Sequence, residues 1–193
     1  MPESVVNPAR VKFTGQNPFL RLKRTKGTAD TTTCAFWRAH LSPAGPGHAV
    51  FVQSDATDGK VLVLSDNESL ARWLQQIEAI LRPPFGDKGL PIAMASFSSS
   101  GDPRSVYAEH VRAADVTLEL AWGDLYGPFL ISLEPGNNVT ADWGVSSCMI
   151  PARWATLTVN GRKAAGQAFP EPMAGQDCST SALAFAENWY RAD

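Results

Sequence analysis

The sequence predicts a mainly β fold, either an antiparallel β-barrel or a two-layer β-sandwich, with one α-helix packed against it at about residues 66–82. Short segments rich in β-branched and aromatic residues recur along the chain, and turn-forming residues separate them. Helical segments do not alternate with these strands, and parallel strands need crossover helices, so mostly antiparallel pairing follows. The helix is expected either to close one end of a barrel or to lie across one face of a sandwich.

The helix is predicted from segment 65–81, SDNESLARWLQQIEAIL. Ser65 and Glu68 have the spacing of a capping box, in which each side chain bonds a backbone amide near the helix start. Apolar residues then recur every three or four positions and define a buried face: Leu70, Trp73, Leu74, Ile77, Ile80 and Leu81. Polar residues define the face expected to be exposed: Arg72, Gln75, Gln76 and Glu78. Pro83 and Pro84 end the helix because neither can donate a backbone hydrogen bond to it.

The strands surround this helix in the chain. Residues 1–18 are predicted to be an extended lead-in. Strands are then predicted at 19–24, 33–41, 48–54, 60–64, 92–97, 115–122, 129–134, 145–150, 154–159, 162–169 and 182–191, and segment 106–112 is either a strand or a short helix. The helix needs sheet on both sides of it in sequence to bury its apolar face. A single domain spanning residues 1–193 is therefore expected.

Composition excludes several classes of protein. The chain has 193 residues, of which 44% are hydrophobic and 19% charged, and a domain of this size buries roughly 70% of its unfolded surface without staples. No apolar run approaches the ~20 residues that cross a membrane, and the first residues lack the apolar run of a signal peptide. The expected location is therefore the cytoplasm, with no membrane partner.

Metal and nucleotide sites are not expected either. The three cysteines are widely spaced and form no CxxC pair, and the three histidines have no metal-ligand spacing. No phosphate-binding glycine motif is present, so no cofactor is predicted.

The basic N-terminal region has two interpretations. Residues 1–26 contain six basic residues and one acid, although the whole chain has a net charge of −2. These cations could bind an anionic partner, or they could be the polar side of an edge strand, where basic residues deter aggregation. The second interpretation is favoured because Arg21 and Lys23 alternate with Leu20 and Leu22, so nucleic acid is not an expected partner.

Glu187 is the first candidate catalytic residue. Leu183, Phe185, Glu187 and Trp189 alternate along the last strand, which predicts that the carboxylate shares an apolar face with them. Burial would raise its pKa and make it a usable general acid or base. The alternatives are a strand that frays or bulges after Phe185 and exposes Glu187, or a structural ion pair with an arginine.

Asp124 and His110 are the other catalytic candidates. Asp124 and Tyr126 follow the clearest strand at a Gly-rich corner, where loops often carry binding groups, although Asp beside Gly is also common in turns. His110 next to Glu109 could act as a base, and its alternative is an ordinary surface histidine.

The chain is rich in tryptophan, with six residues. Aromatic side chains inside a β-barrel can bind flat apolar ligands, and the residues predicted to do so are Trp122, Tyr126, Trp154 and Trp189. The alternative is that the tryptophans belong to the core, because several fall in register with apolar neighbours.

Three functions follow from these observations. The first is binding of a hydrophobic or aromatic small molecule in the interior of a β-barrel. The second is a cofactor-free enzyme, such as a cyclase, isomerase or hydratase, that uses a buried carboxylate as general acid or base. The third is an interaction protein that uses its basic N-terminal strand. The sequence leaves the oligomeric state open.

Lipocalin-like barrels resemble the first prediction in form. The Gly-x-Trp motif that many lipocalins carry near their first strand is missing here. The likeness is therefore one of architecture and transfers no residues.

Overall fold

The computed structural model describes residues 10–137 and 142–191. This part of the chain contains one helix, α1 (Glu68–Leu81), and short 3-10 turns at Asp55–Thr57 and Pro83–Gly86. Its strands are β1 (Val11–Gln16), β2 (Phe19–Lys23), β3 (Asp30–Leu41), β4 (Gly47–Ser54), β5 (Val61–Ser65), β6 (Ile92–Met94), β7 (Ser96–Gly101), β8 (Val106–Arg112), β9 (Thr117–Leu125), β10 (Phe129–Leu133), β11 (Gly144–Val159), β12 (Arg162–Lys163) and β13 (Ser181–Tyr190). The prediction of a mainly β protein with one packed helix is confirmed.

All thirteen strands form one sheet that closes on itself. Its main order is β6-β5-β4-β3-β1-β13-β11-β9-β8-β7, while β2 continues β1 between the same neighbours, β3 and β13. Every pairing is antiparallel except that of β5 with β6. The two ends of this order, β6 and β7, are separated in the chain by Ala95 alone. The chain thus connects the two edge strands of a sheet that is folded into two layers. The pairings of β1 and β2 with both β3 and β13 close a ring of strands within it, so the fold combines features of both predicted architectures.

The space between the layers holds the larger core. One layer contributes residues from β2 to β5, and the other contributes residues from β8, β9, β11 and β13. Twenty buried residues form this core: Leu20, Leu22, Cys34, Phe36, Val50, Val52, Ala56, Leu64, Tyr107, Val111, Leu118, Leu120, Trp122, Ala152, Ala155, Leu157, Val159, Ala164, Ala168 and Leu183. Close packing of these side chains supplies most of the apolar burial that drives folding.

Helix α1 lies across the outer face of β3, β4 and β5. Its buried residues Leu70, Ala71 and Leu74 join a second cluster with Trp37 and Phe51. Rings of this cluster touch one another, with centroid distances of 5.1–6.1 Å among Phe13, Trp37, Trp73 and Trp189. The helix therefore covers a sheet face and does not close an end of the ring.

The start of α1 differs from the prediction. Asn67 is the N-cap, and its side-chain oxygen accepts a hydrogen bond from the amide of Leu70 at 3.1 Å. Ser65 instead ends β5, where its hydroxyl donates to the carbonyl of His48 at 2.5 Å. The predicted capping box between Ser65 and Glu68 is wrong because Ser65 is held in the sheet.

The buried face of α1 is also rotated from the prediction. Gln75 and Glu78, which were expected to be exposed, are 2% and 0% exposed, whereas Ile80 is 58% exposed. The buried polar groups have partners: Gln75 donates to the carbonyl of Asp87 at 2.9 Å. Glu78 accepts from the Trp37 indole at 2.8 Å and pairs with Arg82 at 2.9 Å. These contacts compensate the free-energy cost of burying the polar groups of Gln75 and Glu78. Apolar periodicity alone does not predict that these two residues are buried.

Several strand boundaries also differ. Part of the predicted lead-in forms β1, while residues 1–9 lie outside the described residues. The two strands predicted at 145–150 and 154–159 are one strand, β11, and the strand predicted at 162–169 is reduced to β12. Segment 106–112, which was predicted to be either a strand or a short helix, is strand β8.

A buried ion pair joins the two layers. Arg38 of β3 donates through Nη2 to both carboxylate oxygens of Glu109 on β8, at 2.9 and 3.1 Å. The Tyr107 hydroxyl donates to Glu109 at 2.6 Å. Burial raises the pKa of Glu109, while Tyr107 and Arg38 act in the opposite direction. Because the Glu109 side chain is fully buried, it depends on these donors to remain in the core.

The remaining donors of Arg38 extend this network to the surface. Nε donates to Nε2 of His48 at 3.0 Å, and Nη1 donates to the amide oxygen of Gln16 at 3.3 Å. His48 Nδ1 lies 2.6 Å from a carboxylate oxygen of Asp66. Since Nε2 accepts from Arg38, this geometry matches a neutral imidazole that donates from Nδ1 to Asp66.

Removing Arg38 should destabilise the protein strongly. Arg38→Met leaves the Glu109 carboxylate buried without its cation, so the free energy of unfolding should fall by about 3–5 kcal/mol. Urea denaturation monitored by tryptophan fluorescence measures this change. Arg162→Met, which removes an exposed pair with Asp58, is the control and should have no measurable effect. The double variant Arg38→Met/Glu109→Leu should recover much of the loss; a double variant as unstable as the single one contradicts this explanation.

Candidate functional site

Glu187 is buried, although not on the face that was predicted. Ala186 has φ of 53°, and the β11–β13 register shifts between Ser146 and Cys148. This bulge adds one residue to β13 and reverses the faces of the residues that follow it. Leu183 therefore lies in the core between the layers, whereas Trp189 lies in the cluster beneath α1. The prediction of one shared face is wrong, yet Glu187 is only 6% exposed.

The surroundings of Glu187 favour its protonated form. Burial raises the pKa of its carboxyl to about 7, and the hydrogen bond from the Trp189 indole, at 2.8 Å, acts in the opposite direction. Arg82 also lowers this pKa, while Glu78 raises it. A side-chain hydrogen bond from Asn17 also lowers this pKa, while the side-chain oxygen of Asn17 is buried without a hydrogen-bond partner among the described residues. Glu187 is thus a carboxyl that titrates near neutral pH.

The bulge faces a second polar side chain. Ser147 of β11 lies between the residues paired with Phe185 and Asn188, opposite the extra residue of β13. It is 4% exposed, and its hydroxyl also lacks a partner among the described residues. Polar groups of this kind are satisfied in other proteins by ordered water. None of the open grooves described below is lined by Glu187 or Ser147.

The Glu187 carboxyl predicts a pH dependence of stability. The folded chain holds the proton more tightly than the unfolded chain, in which the pKa is near 4.5. Its contribution to stability is therefore complete below about pH 4.5 and is lost as the pH rises through about 7. Glu187→Gln removes this dependence. Relative to the unsubstituted protein, the variant should gain roughly 3 kcal/mol of unfolding free energy between about pH 4 and about pH 8.

Urea denaturation at several pH values measures this gain. Glu134→Gln is a matched control because Glu134 is exposed, and it should leave the pH profile of stability unchanged. Parallel profiles for Glu187→Gln and the unsubstituted protein would contradict a buried carboxyl that titrates near neutral pH.

The corner at the end of β9 brings Asp124 and Tyr126 together with an arginine. Asp124 has φ of 50°, so the chain bends there, and its carboxylate lies 3.4 Å from Nε of Arg153 on β11. The Arg153 guanidinium lies 4.5 Å from the centre of the Tyr126 ring. The Tyr126 hydroxyl donates to the carbonyl of Cys178 at 3.0 Å. Arg153 was missed in the sequence because nothing local relates it to a corner almost thirty residues earlier.

A groove of about 660 Å³ opens beside this corner. Its apolar and aromatic lining includes Tyr126, Phe129, Pro170 and Pro172, and Arg153 and Lys26 add positive charge. Glu171 and Asp177 add negative charge. Burial raises the pKa of Tyr126, which keeps its hydroxyl protonated as the donor to Cys178. The groove therefore has an aromatic ring fixed by a hydrogen bond at its hydroxyl and by a cation on its face.

The three tryptophans that were predicted to bind a ligand differ in their exposure to solvent. Trp122 and Trp189 are both 0% exposed. Their indole N–H groups are satisfied within the protein, by the Phe19 carbonyl at 2.9 Å and by Glu187 at 2.8 Å. Trp154 is 40% exposed on the outer face of the sheet. The side chains that a ligand can reach without a rearrangement are thus Tyr126 and Trp154.

The side chains of His110 and Glu109, which are adjacent in the sequence, lie on opposite sides of the sheet. Successive residues of a strand face opposite sides of a sheet, and Glu109 lies inside while His110 lies on the outer face of β8. His110 Nε2 is 2.9 Å from the hydroxyl of Ser100 on β7. His110, Glu187 and the Asp124 corner therefore do not form one site.

The basic residues of the N-terminal strand are paired internally. Arg21 makes an ion pair and a hydrogen bond with Glu171. Lys23 lies 3.5 Å from Asp30. These contacts pair two of the six basic residues of segment 1–26 with carboxylates.

The described residues contain neither a metal-binding cluster nor a membrane-spanning helix. No group of three or more His, Cys, Asp or Glu side chains there is placed to hold a metal ion. None of the helices in this part of the chain is long and apolar enough to span a membrane.

Comparison of the chain with protein-family models, with curated proteins and with solved structures found no match in any of the three.

Proposed function

We propose that this protein binds a small molecule with an aromatic or apolar part in the groove beside Tyr126. The observation that carries the proposal is the fixed Tyr126 ring, which is bonded at its hydroxyl and covered by Arg153 on its face. A volume of about 660 Å³ is within the range of small-molecule sites, which are mostly apolar with a few placed polar groups. Phe129, Pro170 and Pro172 supply the apolar surface here.

This location differs from the interior expected from the sequence. The interior is occupied by the twenty buried side chains of the core between the layers, and a ligand there would have to displace packed groups. The groove needs no such rearrangement. The ligand class is therefore the one expected from the sequence, and the proposed site lies at the surface.

The lining charges of the groove balance, since Lys26 and Arg153 are matched by Glu171 and Asp177, and its cations can bind an anionic group of a ligand. Glu171 is already engaged by Arg21, whereas Lys26 and Arg153 line the groove with their cationic heads. Arg153 has a partner in Asp124, but both side chains of this pair are more than 60% exposed, so the pair is weak. An anionic group can therefore compete for the guanidinium.

We propose a reducing, cytoplasmic compartment, and the three cysteines support this proposal. Cys34, Cys148 and Cys178 are all free thiols. Free buried cysteines are usual in cytoplasmic proteins and behave as small hydrophobic residues.

The dye 8-anilinonaphthalene-1-sulfonate, which is aromatic and anionic, tests this groove. Titration should give a saturable rise in fluorescence, and Tyr126→Ala should weaken the affinity at least about tenfold, because it removes the ring that stacks with ligand and guanidinium. Tyr126→Phe keeps the ring and should keep most of the affinity. Binding that is indifferent to Tyr126→Ala, in a variant whose unfolding temperature is unchanged, contradicts the proposal.

One observation favours a second function, that of a cofactor-free enzyme. The pKa of Glu187 near 7 suits a general acid or base at neutral pH. Glu187 lies near Arg82 at the C-terminal end of α1, so a substrate would reach it through opening of this end of the helix. Hydrogen exchange tests this route: residues 78–85 should exchange much faster than β13. Equal protection of the two segments excludes the enzymatic function.

A further inference from the structure

None of the described residues forms a second layer over the outer face of β7, β8, β9 and β11. Strand register arranges its side chains in rows across the four strands. One row contains Ser98, His110, Glu119 and Thr158; the next contains Ser100, Ala108, Ala121 and Thr156. All eight of these residues are exposed or half-buried. A sheet face of this size, built from hydroxyls and small side chains, is accessible along its whole width.

Trp154 stands at one end of these rows and is held in a defined position. It pairs with Gly123 of β9, and the indole packs directly on this glycine. A Cβ atom at position 123 would lie 2.0 Å from Cζ2 of the indole, so any other residue would displace the ring. Because Trp154 remains 40% exposed, it offers an immobilised aromatic surface to a ligand.

A groove of about 540 Å³ lies at the other end of the same face. His110, Glu119 and Thr158 line it, together with Arg112 and Ser98. The imidazole of His110 is oriented by its 2.9 Å contact with the Ser100 hydroxyl. The groove thus presents hydrogen-bond donors and acceptors side by side. Arg112 and Glu119 contribute one positive and one negative charge to it.

The two ends lie at a distance that a single small ring does not cover. Trp154 and Thr158 are four residues apart on β11, which corresponds to about 13 Å along a strand. Between them the sheet face carries only small side chains, among them Thr156, Ala121 and Ala108. An extended ligand can therefore lie along β11 and touch both ends.

We propose that this face binds a carbohydrate chain of two or more neutral sugar rings. One ring would stack with its C–H face on Trp154, and the hydroxyls of another would bond His110, Glu119 and Thr158. A purely apolar ligand would leave the donors and acceptors of the groove unpaired, at a cost in free energy. A polyanion finds no net positive charge here, because Arg112 is balanced by Glu119.

Isothermal titration with four soluble hexasaccharides tests the proposal: maltohexaose, cellohexaose, xylohexaose and chitohexaose. At least one of them should bind with a dissociation constant below about 1 mM. Trp154→Ala should weaken that binding at least about tenfold, and Gly123→Val should do the same by displacing the indole. Trp143→Ala is the matched control, because Trp143 lies against Lys12 and Arg191 on another surface, and it should leave the affinity unchanged.

Three results would overturn this inference. The first is no binding of any of the four hexasaccharides to the unsubstituted protein. The second is binding that Trp154→Ala leaves intact while the circular dichroism spectrum is unchanged. The third is a dimer in sedimentation equilibrium that Trp154→Ala dissociates, which would assign this face to a second copy of the chain. Because Trp154 does not line the Tyr126 groove, the dye titration and the sugar titration succeed or fail independently.

Discussion

The buried pair of Arg38 and Glu109 is the interaction on which the arrangement of the two layers depends. It joins two residues that are 71 positions apart in the chain, and it is an ion pair within a core that is mostly apolar. A charge with no partner at this depth would cost several kcal/mol, so the two layers are stable in one relative position. Every surface that was assigned to a ligand is a surface of this fixed frame, since β8 carries Glu109 inside and His110 outside.

Much of the fold followed from the sequence, because strand and helix formation are local. The period of the helix, the alternation along β9 and the proline stop after α1 are each readable within about fifteen residues. The orientation of α1 was not readable. Glu78 has a charged side chain, and its hydrogen bond with Trp37 on a distant strand explains why it is buried. Likewise, the sequence predicts that Ser65 caps the helix, whereas in the structure Ser65 is the last residue of β5.

The site was less predictable than the fold because its geometry depends on two irregularities in the strands. The bulge at Ala186 moves Glu187 to the other side of the sheet, and a periodic pattern carries no sign of an extra residue. The bend at Asp124 brings Tyr126 against Arg153, although these two residues are far apart in the chain. Tryptophan could be recognised as important from its abundance, but whether each indole is buried depends on layers that only the folded chain defines.

The closure of the ring has a consequence for how this protein folds during synthesis. The strands β1 and β2 lie between β3 and β13, so the first strands of the described chain pair on one side with the last. Until residues 181–190 have left the ribosome, Phe13 and Leu20 have only half of their sheet neighbours. Contacts that join both ends of a chain slow folding because a large loop must close first. The ring therefore closes only after β13 has been synthesised, and the N-terminal strands remain unpaired on one edge until then.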